Sequence, residues 1–327
     1  MKSLLCLIAV AVALLLLPFA PAFAADAPAK KKVVFLVGGP SHGFGAHDHR
    51  AGCMLLAARV NEIPGFESVV VKEGWPKDES VLKDAAAIVI YCDGGPGHLA
   101  IPHIQALDKL SAKGTGIGCL HYAVEVEADT GGEYWLKWMG GYFEINWSVN
   151  PHWTANFNKL PDHPVARGIK PFTTNDEWYY NMRFRDGMKG VTPILTAIPP
   201  DSTRQGKDDA HGGNPEVRSQ IGKNHPEHVM WVSENENGSR GFGSSGGHVH
   251  WNWAQDDWRN VVLNVIVWIA KGEVPEGGVK SKRPTVDELF ENHDEPLPKN
   301  LEQEKAKVAK MIEDLNKPFT PTTAAAK

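Results

Sequence analysis

The chain contains 327 residues with a formal net charge of −5, enough for one large domain or two small ones. This acidic balance excludes nucleic acid as a partner, because nucleic-acid binding requires a basic surface. Beyond the N-terminal leader described next, only Cys53, Cys92 and Cys119 remain, and this odd, irregularly spaced set excludes a disulfide framework. We therefore expect buried free thiols and a domain that is stabilised by its hydrophobic core.

The N-terminus has the organisation of a secretory signal. Lys2 supplies a positive charge, an apolar run extends from Leu4 to Leu17, and Ala22-Phe23-Ala24 is a small-x-small cleavage pattern. No later segment has about 18 apolar residues in a row, the length that a membrane span needs. The sequence therefore predicts an exported, periplasmic or extracellular protein, with a signal peptide at 1–24, a linker at 25–32 and no membrane contact after cleavage.

The first part of the chain alternates short apolar runs, which we interpret as strands, with segments of helical periodicity. In chain order we predict a strand at 33–37, a helix at 49–61, strands at 66–71 and 86–91, a helix at 101–110 and a strand at 115–120. Such alternation is typical of a parallel sheet covered on both faces. The predicted fold is α/β, a three-layer sandwich with a mostly parallel central sheet.

The second part is rich in glycine, proline and aromatic residues. We predict a polar surface loop at 201–225, strands at 228–232 and 241–245, and an amphipathic helix at 257–271. The later composition shifts to lysine, glutamate and proline, with a helix predicted at 301–315 and a disordered end. The domain is thus assigned to residues 33–275, and residues 276–327 to a charged extension, partly helical or disordered.

Glycine, histidine and aspartate are concentrated where three predicted strands end, at 38–49, 93–98 and 119–125. Because ligands of open parallel sheets bind outside the carboxyl ends of the strands, these segments predict a site. The first has no lysine and lacks both the phosphate-loop and dinucleotide patterns. It contains His42, His47 and His49 instead, and imidazole can bind a metal or move a proton.

Three further motifs supply candidate residues. His121 follows a predicted strand directly, and a nucleophilic Cys119–His121 pair is an alternative interpretation. Asp176 and Glu177 are adjacent, so on a strand they point to opposite faces, and only one of them can face a pocket. His248 and His250 share a face if their segment is extended, and His248 follows a late strand where amidotransferase-like folds keep a general base.

Short motifs in a consistent order resemble the trehalose-utilisation (ThuA-like) family, whose fold is similar to class I glutamine amidotransferases and flavodoxin-like proteins. The motifs are Val34 to Gly39 with His42, Gly116 to Ala123, Gly140 to Phe143, Asp162 to Val165, Asp176 to Tyr179, Gly246 to His248 and Trp268 to Ala270. The family often has His-Pro after the Gly-Gly-x-Phe motif, whereas here Pro151-His152 comes later and reversed. It generally lacks the amidotransferase cysteine, so glutamine hydrolysis is not implied.

The resemblance implies a role in disaccharide or glycoside catabolism and places His42, His121, Glu177 and His248 in the pocket. We predict an exported enzyme that acts on a glycoside, a trehalose-like disaccharide or a 3-keto-sugar. Its predicted acid/base groups are His121, His248 and Glu177, since imidazole titrates near neutral pH. The predicted substrate-binding residues are His42, Asp93, Tyr122, Trp178, Tyr179 and Trp251. The predicted ligands of a divalent metal such as zinc are His47, His49 and His250.

Two other functions stay open at the level of sequence. One is a non-catalytic sugar-binding module, because tryptophan rings stack on the apolar faces of sugars; its platforms would be Trp147, Trp153, Trp178 and Trp251. The other is a metal-dependent hydrolase of a different substrate class, such as an amide or ester. The partner in the preferred interpretation is a small-molecule carbohydrate.

Overall fold

The structure, a computed structural model, describes residues 29–320. The predicted signal peptide at 1–24 lies outside the described residues, as does the end of the tail that we expect to be disordered. Within residues 29–320, no helix has the length and apolar character needed to span a membrane.

The described residues alternate strands and helices along most of their length. The strands are β1 (Lys31–Val37), β2 (Phe66–Val71), β3 (Ala85–Tyr91), β4 (Gly116–Leu120), β5 (Glu125–Val126), β6 (Gly141–Glu144), β7 (His152–Phe157), β8 (Phe172–Glu177), β9 (Arg183–Phe184), β10 (Val191–Ala197), β11 (Glu227–Glu234) and β12 (Arg240–Ser244). The α-helices are α1 (His49–Asn61), α2 (Ile104–Ala112), α3 (Glu133–Met139), α4 (Pro215–Ser219), α5 (Asp256–Ile269), α6 (Val286–Leu289) and α7 (Leu301–Leu315).

A seven-stranded sheet in the order β10-β11-β12-β4-β3-β1-β2 forms the centre of the domain. Strands β2, β1, β3, β4 and β12 are mutually parallel, whereas β11 and β10 extend the sheet in antiparallel fashion. The predicted α/β fold with a mostly parallel sheet is confirmed. The parallel strands follow the order β2-β1-β3-β4-β12, with β1 at the centre of a reversal in strand order, and the likeness to flavodoxin-like proteins and amidotransferases stays a prediction.

Side chains of β1 divide between two hydrophobic clusters, because successive residues of a strand point to opposite faces. Val33, Phe35 and Val37 pack in the cluster that contains the buried faces of α1 and α5. Val34 and Leu36 pack in a second cluster with residues of α2 and α3. Helices therefore cover both faces of the sheet and produce the three layers that the alternating pattern indicated.

The insertion at 201–225 is more than the surface loop that its polarity predicted. It contains the short helix α4, and Val217 of that helix is fully buried. Arg204 is 1% exposed, and its Nη1 donates to Glu227 Oε1 over 2.9 Å. A buried ion pair and an apolar contact fix the insertion against the domain, so its central residues can reach the site described below.

The C-terminal extension packs on the domain through α6 and α7. Thr285 and Glu288 form a reciprocal capping box that stabilises the start of α6. Leu289, Val308 and Ile312 join the hydrophobic cluster that contains α1 and α5. The extension is thus part of the same core, and it lies against the N-terminal end of α1, beside the loop that carries His47.

Candidate active site

Four separate segments bring polar side chains to the carboxyl edge of the parallel strands. His47 lies between β1 and α1, His121 follows β4, Glu177 ends β8, and His248 follows β12. The strand order reverses between β1 and β3, and open α/β sheets bind ligands in the crevice at such a point. These four residues are called the histidine cluster below.

The side chains of the histidine cluster converge on one small volume. His47 Nε2 lies 2.9 Å from His121 Nε2 and 3.0 Å from His248 Nδ1. Glu177 Oε2 lies 3.0 Å from His248 Nδ1 and 3.5 Å from His121 Nε2. His47 and His121 are almost fully buried, while the side chains of Glu177 and His248 keep 13% and 14% of their surface exposed. The cluster is therefore open to a ligand only from the side of Glu177 and His248.

Neighbouring acceptors set the orientation of two cluster imidazoles. His47 Nδ1 donates to Asp93 Oδ1 over 3.1 Å, and His121 Nδ1 donates to the carbonyl oxygen of Ser245 over 2.7 Å. Because a neutral imidazole has one donor and one acceptor nitrogen, each ring in its neutral form presents an Nε2 lone pair to the centre of the cluster. Asp93, a predicted substrate-binding residue, therefore orients His47.

The backbone of this region is held in an unusual conformation. His42, His47 and His121 have φ angles of 58°, 49° and 52°, in the left-handed region. Non-glycine residues in sparsely populated regions cost about 1–3 kcal/mol each and persist only where the surrounding structure fixes them. Such residues concentrate at functional sites, and here they aim imidazoles from two different loops at one point.

Asp176 and Glu177 point in opposite directions from β8, as the strand period predicted. Asp176 is fully buried, and its carboxylate accepts from the backbone N–H groups of Gly247 and Val249 and from Asn252 Nδ2, over 3.0, 3.2 and 3.0 Å. It thereby holds the loop that carries His248. Glu177 faces the cluster, so one carboxylate positions the loop and the other lies in the pocket.

Mutual contacts shift the pKa values of the cluster. Burial opposes ionisation of Glu177, but the nearby imidazoles of His121, His248 and His47 outweigh it and hold the pKa of its carboxyl well below the usual range. Burial lowers the pKa of His121 to about 4, so this imidazole is neutral. Burial also acts against protonation of His47, yet its hydrogen bond with Asp93 and the nearby carboxylate of Glu177 leave its pKa raised. The cluster thus combines an ionised carboxylate, a neutral base and an imidazole that favours positive charge.

Three more predicted pocket residues surround the cluster. The Tyr179 hydroxyl lies 3.1 Å from His121 Nε2 and donates to Glu177 Oε2 over 3.3 Å. The exposed ring of His42 lies over His47, with 3.7 Å between ring centroids. Tyr122 packs edge-on against His47 at 5.8 Å between ring centroids. The structure thus places these residues around the histidine cluster, and their role as ligand contacts stays a prediction.

The structure also adds residues that sequence reasoning did not single out. His211, in the insertion, lies 3.1 Å from both carboxylate oxygens of Glu125, and its ring packs near Phe143. His152 on β7 pairs in register with Glu177, and its Nε2 lies 3.9 Å from Glu177 Oε1. Glu125 is the last residue of the segment 119–125, which the sequence indicated as part of a site. No local pattern connects His211 or His152 to the pocket.

Two predicted metal ligands lie apart from the centre of the cluster. His49 Nδ1 donates to the carbonyl oxygen of Gly39 over 3.1 Å, and its Nε2 lies 3.7 Å from Asp93 Oδ1. His250 begins a 3₁₀ helix, so it does not share a strand face with His248. Its Nε2 donates to the carbonyl oxygen of Leu289 over 3.1 Å, in the C-terminal extension. His250 therefore packs beneath the site loop.

The aromatic residues proposed as sugar platforms pack mainly against the protein. Trp178 is fully buried and packs edge-on against Trp258 at 5.2 Å between ring centroids. Trp251 stacks on Phe290 of the extension at 4.9 Å, and Trp153 is 3% exposed. Trp147 lies under the guanidinium of Arg183, 3.6 Å from its ring centroid. These contacts leave the rings with little free face for stacking on a sugar.

The prediction of buried free thiols is confirmed for Cys53, Cys92 and Cys119. Burial raises the pKa of the Cys119 thiol well above its ordinary value. A thiolate is the reactive form of cysteine, so the alternative of a nucleophilic Cys119–His121 pair is disfavoured.

Two sizeable cavities lie away from the histidine cluster. A groove of about 1110 Å³ runs between α7 and the start of α5, and a cavity of about 740 Å³ is lined by Lys137, Arg185 and Asn235. Neither contains a cluster residue. The candidate site therefore rests on the convergence of titratable side chains at the sheet edge.

Residues 34–269 match the sequence model of the ThuA family, which is described as trehalose utilisation. The chain belongs to this family, which associates it with carbohydrate catabolism. The crystal structure of a ThuA-like protein from Bacteroides uniformis is similar, at a TM-score of 0.54 and 18% identity, covering 78% of this chain and 98% of that one. At this identity the likeness shows the fold alone.

A ThuA-like protein from Parabacteroides merdae has 13% identity and a TM-score of 0.49, with coverage of 78% of this chain and 98% of that chain. A comparison with curated proteins finds no match.

Proposed function

We propose that this protein is an exported enzyme of carbohydrate catabolism that acts on a glycoside, a trehalose-like disaccharide or a 3-keto-sugar by acid/base chemistry. The observation that carries the proposal is the convergence of three imidazoles and one carboxylate at the carboxyl edge of the parallel strands. Membership of a family described as trehalose utilisation supports the substrate class. The signal-like N-terminus supports export.

His121 is the best general base in this arrangement. Its Nδ1 is committed to the Ser245 carbonyl, its burial keeps the ring neutral, and its Nε2 faces the cluster. His248, which contacts Glu177 and is partly exposed, is placed to return a proton on the open side. Glu177 orients His248 and stabilises positive charge that develops on either ring. Positioned acid/base groups of this kind contribute about 10²–10⁴-fold to a rate.

The adjacent carboxylates Asp176 and Glu177 do not form the acid pair of a glycosidase, and the neutral imidazole of His121 favours proton abstraction. Glycosidases usually flank the scissile bond with two carboxylates. Asp176, the neighbour of Glu177, is fully buried and saturated by backbone and side-chain donors, so these two do not form such a pair. A 3-keto-sugar carries acidic C–H groups beside its carbonyl, and a neutral imidazole suits their deprotonation. A lyase or isomerase step on an oxidised sugar therefore fits the site best.

The surroundings of the cluster offer partners for sugar hydroxyl groups. Asp93 keeps 42% of its side-chain surface exposed, and His42 and Tyr122 lie beside it at the rim. The pair of Glu125 and His211 provides a donor and an acceptor on the insertion side. Dense hydrogen-bonding groups of both kinds are suited to a polyhydroxylated ligand.

Turnover and thermal-shift assays on trehalose, glucosides and their 3-keto derivatives test the proposal, with the variants His121→Asn and His163→Asn compared. His163 packs against Trp268, and Arg240 at the start of β12 lies over the same ring, so this control is at the opposite edge of the sheet. We expect turnover of a keto-sugar that falls by about 10²-fold or more in His121→Asn and is unchanged in His163→Asn. Undiminished turnover in His121→Asn, or no turnover of any of these sugars, would refute the assignment.

A further inference from the structure

We propose that His47, His121, His248 and Glu177 together bind one divalent transition-metal ion of the zinc class. One ligand atom from each side chain can be chosen so that all four lie within 4.8 Å of one another. This ligand set shares only His47 with the set that the sequence predicted. The inference deepens the proposed function and rests on it for its catalytic meaning. A bound ion would take up the His121 Nε2 and the ligating nitrogen of His248, so the proton-transfer roles proposed above belong to the metal-free site, and the metal would instead supply Lewis-acid stabilisation of a substrate carbonyl in the same pocket.

The separations between ligand atoms match those around a small metal ion. Zinc–nitrogen bonds of about 2.0–2.1 Å imply about 3.3 Å between the ligand atoms of a tetrahedral site. Here the two contacts of His47 Nε2 with imidazole nitrogens are 2.9 and 3.0 Å. The distances from Glu177 Oε2 to His248, His121 and His47 are 3.0, 3.5 and 4.0 Å. These five values bracket the expected edge length, and all ligand atoms of the set lie within 4.8 Å of one another, so binding of an ion requires the more widely separated ligands to move inward.

The hydrogen bonds around the cluster favour a cation at its centre. Asp93 and the Ser245 carbonyl take the Nδ1 protons of His47 and His121, so two Nε2 lone pairs face each other over 2.9 Å. Facing lone pairs repel unless a proton or a metal ion lies between them. Outer hydrogen bonds that fix the tautomer of a ligating histidine are a usual feature of metal sites. A single proton on His47 is the competing occupant.

The donor set indicates which ions would bind. Three imidazole nitrogens and one carboxylate suit zinc and its first-row neighbours, whereas magnesium and calcium prefer oxygen ligands. Glu177 and His248 are the partly exposed members, so a substrate oxygen can approach on their side and raise the coordination number to five. A metal there polarises a carbonyl and stabilises negative charge on its oxygen.

Metal binding by the purified protein, prepared without a histidine tag, tests the inference directly. Elemental analysis after dialysis and titration with zinc measure the stoichiometry, and the visible spectrum of the cobalt-loaded protein reports the ligand set. We expect about one equivalent per chain in the wild type and in His163→Asn. We expect Glu177→Gln and His121→Ala to lose this binding, and Asp93→Asn, which keeps all four ligands, to weaken it about 10–100-fold.

Circular dichroism of each variant establishes that it is folded. If His121→Ala is unfolded, the comparison of metal binding between the isosteric variants Glu177→Gln and Asp93→Asn tests the inference. The inference is overturned if the wild type binds no metal at micromolar free zinc. It is also overturned if Glu177→Gln and Asp93→Asn bind metal equally. In either case the proton on His47 is the occupant of the cluster. Stoichiometric metal without sugar turnover would refute only the proposed function. Full turnover by metal-free protein would refute only the catalytic role of the metal.

Discussion

The two adjacent carboxylates of β8 allow a sharp test of how the site is built. Each Asp176 oxygen accepts two hydrogen bonds, Oδ1 from the N–H groups of Glu177 and Val249, and Oδ2 from Gly247 N–H and Asn252 Nδ2. Asp176→Asn replaces one acceptor by an amide that points its own hydrogens at two donors. Each buried donor left unsatisfied costs about 1–3 kcal/mol, so we expect the free energy of unfolding to fall by about 2–6 kcal/mol.

The neighbouring substitution Glu177→Gln serves as the matched comparison. Its side chain lies in the pocket and holds no backbone segment, so we expect a smaller loss in the free energy of unfolding than in Asp176→Asn, limited to the contacts of the carboxylate with the imidazoles, while turnover falls. Asp176→Asn, in contrast, should lower turnover through displacement of His248, since misplacement of about 1 Å can cost about 10²-fold. Urea denaturation and turnover measured on both variants separate the two roles. A loss below about 1 kcal/mol in Asp176→Asn would refute the reasoning.

Three further predictions address stability and the rim of the pocket. Burial lowers the pKa of His98 to about 4 from 6.5, so the unfolded state takes up the proton first on acidification, and the free energy of unfolding should fall between these pH values. His98→Gln should reduce that slope by up to about 1.4 kcal/mol per pH unit in urea denaturation, and an unchanged slope would contradict the assignment. Phe290→Ala removes a 5% exposed ring that stacks on Trp251 and should cost about 3–5 kcal/mol with a change in tryptophan fluorescence. A loss under about 1 kcal/mol would mean that the extension does not brace the site loop. His211→Asn removes the partner of Glu125, and calorimetry should show weaker sugar binding with unchanged metal content, whereas unchanged sugar affinity would place the insertion outside the pocket.

Most secondary structure follows from local sequence pattern. The apolar runs of β1 and β3, the helical spacing in α1 and the C-terminal α7 were predicted close to their observed bounds. This success has a simple cause, since a buried strand between two helical layers needs an unbroken apolar run, and an amphipathic helix needs its own period. The opposite orientations of Asp176 and Glu177 followed from the strand period in the same way.

The membership of the histidine cluster depended on tertiary structure. His47, His121, Glu177 and His248 come from four segments, and which ring of a histidine-rich loop reaches the centre depends on long-range contacts. The left-handed backbone at His47 and His121 leaves no sequence signal, because it is imposed by packing and not by residue preference. His250 was predicted to share a strand face with His248, but long-range packing places it in a 3₁₀ helix against the carbonyl oxygen of Leu289.

Sequence by itself thus determined the sheet, its helical layers and the edge at which polar residues gather, because these depend on periods of two or about 3.6 residues along the chain. Only the tertiary structure decided that His211 of the insertion contacts Glu125 and that Trp251 is covered by Phe290 of the extension. Both contacts join residues far apart in the chain, where hydrophobic burial and ion pairing choose partners that no local pattern encodes.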